Sequence, residues 1–162
     1  PWLRWQCSDQ AEALPGIRMW LDEAALDNTP APVELDVATG PWPRVDGNGP
    51  FDAVFSANTL HIMGWPEVRA FFAGLAQVIA PGAVVVVYGP FNYNGQYSSD
   101  SNREFDGWLK ARDPRSGIRD AADVDALAAA IGLRLVEDVA MPANNRCLVW
   151  RRDPDVALTP RR

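Results

Sequence analysis

The sequence predicts an open α/β sheet, Rossmann-like and mostly parallel, with one antiparallel strand near its C-terminus, and three observations carry that expectation. Strand-like segments alternate with segments of helical period, the order that produces parallel pairing through helical crossovers. Residues 83–88, Ala-Val-Val-Val-Val-Tyr, are apolar without alternation, as in a central parallel strand covered on both faces. The last two strand-like segments are joined only by residues 140–145, too short for a crossover and suited to an antiparallel pair at the sheet edge.

Each element has its own grounds. Over 16–27, Ile17, Trp20, Leu21, Ala24 and Ala25 recur at i, i+3, i+4, i+7 and i+8, one face of a helix that Pro15 and Gly16 would open. Pro30 and Pro32 then break the chain before 33–37, an apolar stretch read as a buried strand with Asp36 at its C-terminal end. A Pro/Gly-rich loop over 39–50 leads to a second strand, 51–56. Pro66 stands where a helix takes its first residue. Val68, Phe71, Phe72, Leu75 and Ile79 give that helix its stripe, and Pro81-Gly82 is expected to stop it before the strand 83–88. Ser101 with Glu104 reads as a capping box for a helix striped by Phe105, Trp108 and Leu109 and ended by Asp113-Pro114. Asp120 caps a further helix, with Val124, Leu127, Ala128 and Ile131 on one face and Gly132 at C′. Strands over 133–139 and 146–151 complete the fold. No repeat, low-complexity tract or Ser/Gly linker divides the chain, so 1–152 reads as one domain followed by a flexible tail, 153–162.

Composition narrows the function. The 162 residues are 48% apolar and 22% charged, the balance of an ordinary globular domain. Lys+Arg 15 against Asp+Glu 21 gives a net charge of −6, which argues against binding to nucleic acid or an anionic membrane surface. The longest unbroken apolar stretches, such as 83–88, are far below the roughly 20 residues needed to span a bilayer. Cys7 and Cys147 are isolated, so no metal site is expected, and the first residues lack the order of a signal peptide. A cytoplasmic protein with free thiols and a small-molecule partner is the expectation; the sequence does not speak to oligomeric state. Because the chain begins with Pro1, its first residue is not expected to be the start of translation.

In open α/β sheets ligands bind at the carboxyl ends of the strands. That rule selects Gln6 to Asp9, Asp36-Val37, Asn58 to His61, Tyr88 to Phe91 and Asn144-Asn145. The order Leu35-Asp36-Val37, Phe51-Asp52-Ala53-Val54-Phe55-Ser56 running into Leu60-His61-Ile62, and Ala80-Pro81-Gly82 before a Val-rich strand resembles class I S-adenosylmethionine-dependent methyltransferases. Within that class the chain is most similar to a group of small, uncharacterised methyltransferase-like proteins. The matching segments include Trp5-Gln6-Cys7-Ser8-Asp9, Trp42-Pro43, Asn58 to Ile62, Tyr88-Gly89-Pro90-Phe91, Ser101-Asn102, Phe105-Asp106, Gly117-Ile118-Arg119-Asp120 and Met141 to Asn145.

The resemblance implies S-adenosylmethionine as cofactor and assigns roles. Asp36 would accept from the adenine amine, with the backbone amide of Val37 nearby. Gln6, or Asp9 three residues on, stands where the class places an acid on the ribose hydroxyls. Asn58 and Leu60 would line the methyl end. His61, the only histidine, could take a proton from the acceptor, beside Tyr88, Asn144 and Asn145. Asn92, Asn102, Asp106 and Arg119 would orient a polar acceptor. Read by themselves, these residues have plainer roles: Asp36 as a strand-end acid or cap, His61 as a hydrogen-bonding prop of the Asn58 loop, and the amides and Arg119 as partners of loop carbonyls. The tryptophans read as core or rim packing, or as an aromatic slot.

One part of the class pattern is missing. A strand, a G-x-G-x-G loop and a helix open such folds, and Gly47-Asn48-Gly49, followed by Pro50 and leading into a strand, lacks that context. The resemblance places Trp5-Gln6 at the end of the second strand, so strand one and its helix would precede Pro1. Without them two half-sheets would keep unpaired edges and exposed apolar faces. Methyl transfer needs alignment in a dry site, which supplies on the order of 7 to 11 kcal/mol without a dedicated base. The alternatives are a catalytically silent binding or scaffold module of the same fold and an NAD-type Rossmann enzyme, whose fingerprint loop and downstream acid are absent from the sequence.

Overall fold

A computed structural model describes residues 3–44 and 49–155, so Gly47 and Asn48 of the glycine pair and the tail beyond Asp155 lie outside the described residues. The chain divides into two compact units, Pro1–Gly49 and Pro50–Arg162.

In the first unit, β1 (Ser8–Asp9) pairs in parallel with β2 (Val33–Glu34), and α1 (Leu14–Ala24) lies between them in sequence. The strand falls at Ser8–Asp9, after the Trp5-Gln6 expected to end it, and β2 is shorter than the predicted 33–37. A ladder is only as long as its shorter strand, and β1 offers two residues. Beyond one more bond, from Leu35 N to Asp9 O at 2.8 Å, the chain turns, with Asp36 Oδ1 accepting from Ala38 N at 2.8 Å. Pro15 sits in the first turn of α1, as predicted, but the helix ends at Ala24 because Ala25 takes a left-handed conformation, φ 47°. The apolar face is not buried: Trp20 is 72% exposed and no α1 residue is fully covered, since a two-stranded ladder offers little surface to cover it.

The second unit is built on the sheet order β3-β4-β8-β7, from β3 (Phe51–Ala57), β4 (Ile79–Gly89), β7 (Leu133–Met141) and β8 (Asn145–Arg152). β3 and β4 are parallel; β8 runs antiparallel to both β4 and β7. The antiparallel strand is therefore inside the sheet, and β7 occupies the edge. β4 alternates fully buried Ala83, Val85 and Val87 with half-buried Val84, Val86 and Tyr88, so only one face is core.

Helix α2 (Trp65–Val78) begins at Gly64 with Pro66 in its first turn. It stops three residues before Pro81, and Pro81-Gly82 lies inside β4 rather than ending the helix. The β3–β4 register shifts between Phe51 and Ala53, so Pro81 and Gly82, the latter at φ 76°, fall in a bulge where a missing N–H and a left-handed residue are tolerated. Val68, Phe71, Phe72 and Leu75 form the core, with Phe72 edge-on to Trp150 of β8 at 6.2 Å.

Helix α3 (Asp100–Arg112) is capped two residues earlier than predicted: Ser99, not Ser101, accepts from Asn102 N at 3.1 Å. Helix α4 (Ala121–Ala129) is capped by Asp120, as predicted, through Ala122 N at 3.0 Å. Two elements have no counterpart in the prediction, β5 (Phe91–Asn92) and β6 (Arg119–Asp120), which pair in parallel. Among the described residues β3 pairs on one side only, and its Phe55 is 50% exposed.

Candidate functional site

The site of the second unit is assembled where β3 and β4 end. Asn58 follows β3 in the left-handed region, φ 57°, which asparagine tolerates better than most residues, and its N–H donates to Tyr88 O at 2.9 Å. The chain then turns through Leu60 and His61, both buried. The imidazole meets Phe105 edge to ring at 5.5 Å and lies against Gly89, where an added Cβ would stand 3.6 Å from Nδ1. Burial, and then the charge of Arg119, hold the His61 pKa below its ordinary 6.5. The ring is therefore neutral at pH 7 and able to accept a proton.

That shift makes a stability prediction. The unfolded chain takes up a proton near 6.5 and the folded chain resists it, so acid favours unfolding through this residue. The thermal midpoint is expected to fall as pH drops from about 7.5 to 5.5, more steeply than in His61→Gln. Equal slopes in the two proteins would contradict the assignment.

The turn after Asn58 is gripped from across the chain. Arg119 Nε donates to Leu60 O at 3.2 Å, its Nη2 to Met63 O and to Arg115 O at 2.8 Å. Gly117 N donates to His61 O at 2.9 Å and Ser116 Oγ to Ile62 O at 3.0 Å. The gripping segment is itself held by Asp106, 1% exposed, which accepts from Ile118 N at 2.7 Å, Tyr97 hydroxyl at 2.6 Å and Lys110 Nζ at 2.6 Å. Burial alone would raise the Asp106 pKa, but these three donors outweigh it and hold the carboxyl below its ordinary range. Gly117 is required there: its φ is 156°, and a Cβ would meet Asp106 Oδ1 and Lys110 Cε at 3.0 Å.

A second cluster gathers the amides. Asn145 Nδ2 donates to the Tyr88 hydroxyl at 3.0 Å. Asn102 Nδ2 donates to Ser98 Oγ at 2.8 Å and to Asn144 O at 3.2 Å, while Asn144 Nδ2 donates to Ser101 Oγ at 3.1 Å. Ala143 and Asn144, both at φ 57°, turn that loop. Asn92 Nδ2 reaches Ile118 O at 3.5 Å, and its buried Oδ1 has no partner among the described residues. Asn102 and Asp106, one turn apart on α3, tie the two clusters to one helix. Phe105, read from the sequence as a helix-stripe residue, and Gly117, within the segment Gly117 to Asp120, join the candidate site, as does Ser116, for which the sequence held no signal.

In the first unit, Gln6 lies before β1 and its Nε2 donates to Cys7 O and Ala31 O, both at 2.9 Å. Asp9 ends β1, accepting from Gln10 N at 2.7 Å, and Asp36 follows β2 with Val37 next to it. Each carboxylate uses Oδ1 locally, and no Oδ2 bond is present among the described residues. Two acceptors at the carboxyl ends of adjacent parallel strands suit an amine and a pair of hydroxyls. No group of three His, Cys, Asp or Glu among the described residues could hold a metal, and no helix there is long and apolar enough to cross a membrane.

Residues 1–152 match the family model described as "Protein of unknown function (DUF938)". Among solved structures the chain is similar to an O-methyltransferase family protein from Burkholderia thailandensis, at 14% identity and TM-score 0.78, covering 94% of this chain and 45% of that one. It is also similar to an O-methyltransferase family 2 protein from Planctomyces limnophilus in complex with apigenin, at 14% identity and TM-score 0.78, covering 92% and 42%. A third is CalO1, a methyltransferase in calicheamicin biosynthesis in its SAH-bound form, at 20% identity and TM-score 0.71, covering 93% and 42%. The fold is thus that of class I S-adenosylmethionine-dependent methyltransferases, and the chain spans less than half the length of these structures.

Proposed function

From a chain that belongs to the DUF938 family and carries the class I methyltransferase fold, we propose an S-adenosylmethionine-dependent methyltransferase acting on a small-molecule acceptor. The observation that carries this reading is the buried, neutral His61 at the carboxyl ends of β3 and β4, where such sheets bind their ligands.

When bound, S-adenosylmethionine would supply an electrophilic methyl group, its carbon–sulfur bond breaking as the acceptor's lone pair forms the new bond. The residues of this chain do the rest. In the first unit, Asp36 would accept from the adenine amine beside the Val37 amide, and Asp9, which ends β1, would serve the ribose hydroxyls better than Gln6, whose amide is spent on loop carbonyls. In the second unit, the backbone of Asn58 and Leu60 would line the methyl group to be transferred. His61, held against Phe105 and Gly89, takes the acceptor's proton. The Tyr88 hydroxyl, the unpartnered Asn92 Oδ1 and the side chains of Asn144 and Asn145 would orient a polar acceptor, while Asn102, buried with its Nδ2 donating to Ser98 Oγ and Asn144 O, holds the loop that carries Asn144. The small molecules named for the similar structures, apigenin and SAH, support a ligand of that size.

Calorimetric titration of the protein with S-adenosylmethionine and with NAD tests the reading. Binding of the first alone is expected; a folded protein silent to both returns the scaffold module, and one that takes NAD returns the dehydrogenase-type fold. Asp36→Ala is expected to weaken cofactor binding roughly tenfold to a hundredfold, the worth of one charged hydrogen bond. Unchanged affinity in that variant would remove the adenine assignment.

A further inference from the structure

We infer that Arg119 is a positioning residue for His61, acting through the backbone of the turn that carries it. The inference rests on the proposed role of His61 in proton transfer. All four carbonyls from Leu60 to Met63 are taken by the segment Ser116–Arg119, two of them by the guanidinium of Arg119 alone. A peptide turn whose four acceptors are fixed from outside cannot rotate without breaking them together, so the imidazole keeps one orientation against Phe105. Arginine suits this task because its planar fork presents several donors in fixed directions, which the single ammonium of lysine cannot reproduce.

The placement of Arg119 is over-determined. It begins β6, where pairing of Phe91 with Arg119 fixes its backbone, and Asp106 holds the neighbouring Ile118 N–H at 2.7 Å. Its guanidinium lies 5.9 Å from the Trp65 ring centre, so the stem and head are enclosed on that side too. Every carbonyl it reaches is more than three residues away in sequence, and those of Leu60 and Met63 lie across the chain. With its donors engaged in this way, the residue acts on the acceptor through His61. The charged groups bearing on the turn are Arg119 itself, which disfavours the imidazolium, and Asp106 and Glu67, which act on Arg119 in the opposite sense.

The single histidine gives an unambiguous test, since its ring signals can be followed by NMR without assignment. In Arg119→Met the His61 titration is expected to move up towards 6.5, and the amides of His61 to Met63 to exchange faster. Arg119→Lys keeps the charge and loses the fork, so the amides of the turn are expected to exchange faster, as in the methionine variant, while the ring titration stays nearer the parent's than in Arg119→Met, with the global thermal midpoint close to the parent's. If the lysine variant retains the parent's ring titration and amide protection, the charge alone matters and positioning is overturned. If neither variant moves them, the inference also fails. Should the methionine variant not fold, the lysine variant alone decides between these outcomes. Titrating the same proteins with S-adenosylmethionine separates this inference from the function: absent cofactor binding with a ring that follows Arg119 removes the methyltransferase reading only, and cofactor binding with an unmoved ring removes the positioning role only.

Discussion

Replacement of Asp106 by alanine is expected to lower the free energy of unfolding by about 3 kcal/mol and to loosen the segment that carries Arg119. The carboxylate is almost fully buried and gathers three donors, one of them the Ile118 N–H. Lys110 and Tyr97 can turn to water when it is removed, because Lys110 is half exposed and Tyr97 is partly so. The amide of Ile118 cannot, and an orphaned buried donor carries its full desolvation cost. Asp106→Asn keeps an acceptor for Ile118 and is expected to cost about 1 kcal/mol. Urea unfolding of the three proteins checks the order; an alanine variant as stable as the parent would mean the amide finds another partner.

Acidity separates the same contribution from packing. The carboxyl of Asp106 stays ionised in the folded state below its unfolded value of 3.8, so its stabilisation is present above that pH and lost as pH falls through the lower folded value. The loss linked to His61 begins higher, below 6.5. Two acid steps with different residue dependence follow from one site.

The second large effect lies in the core. Trp150 is 0% exposed, packs edge-on to Phe72 and donates Nε1–H to Asp125 Oδ1 at 2.8 Å, which joins β8 to α4. Trp150→Ala is expected to cost about 3–5 kcal/mol through lost transfer energy and the cavity left between α2 and the sheet. Trp150→Phe retains most of the volume and loses the hydrogen bond, for about 1 kcal/mol. A loss of a similar size in both variants, measured by denaturant unfolding, would show that the hydrogen bond rather than the packing dominates.

These residues also show what a sequence can and cannot reveal. The face of α2, the cap at Asp120 and the antiparallel closure by β7 and β8 were legible because each depends on neighbours within one or two turns or on a short connection. Ser99 was overlooked for Ser101 because both can cap and only backbone geometry chooses; the Ser99 side chain is the one that reaches Asn102 N. Pro81-Gly82 reads as a stop, but a bulge in the β3–β4 register takes it in. β5 and β6 span two residues each, too short for any period, and they exist because the chain brings Phe91 opposite Arg119. Among the site residues, positions at strand ends could be selected by rule, and His61 and Asp36 fall where that rule puts them. The grip of Arg119 on Leu60, across 59 residues, leaves no local pattern, so only the folded chain reveals it.

The one-sided pairing of β3 bears on how copies of the protein meet. Among the described residues β3 has no partner on its outer side, and a strand edge of that kind with an exposed phenylalanine is a template on which another extended chain can build. A net charge of −6 opposes such meetings, but only over a distance set by salt, about 30 Å at 0.01 M and about 8 Å at 0.15 M. Colloidal behaviour then depends on ionic strength. In dilute buffer the repulsion reaches far from the surface, and at physiological salt it no longer extends across the approach to such an edge.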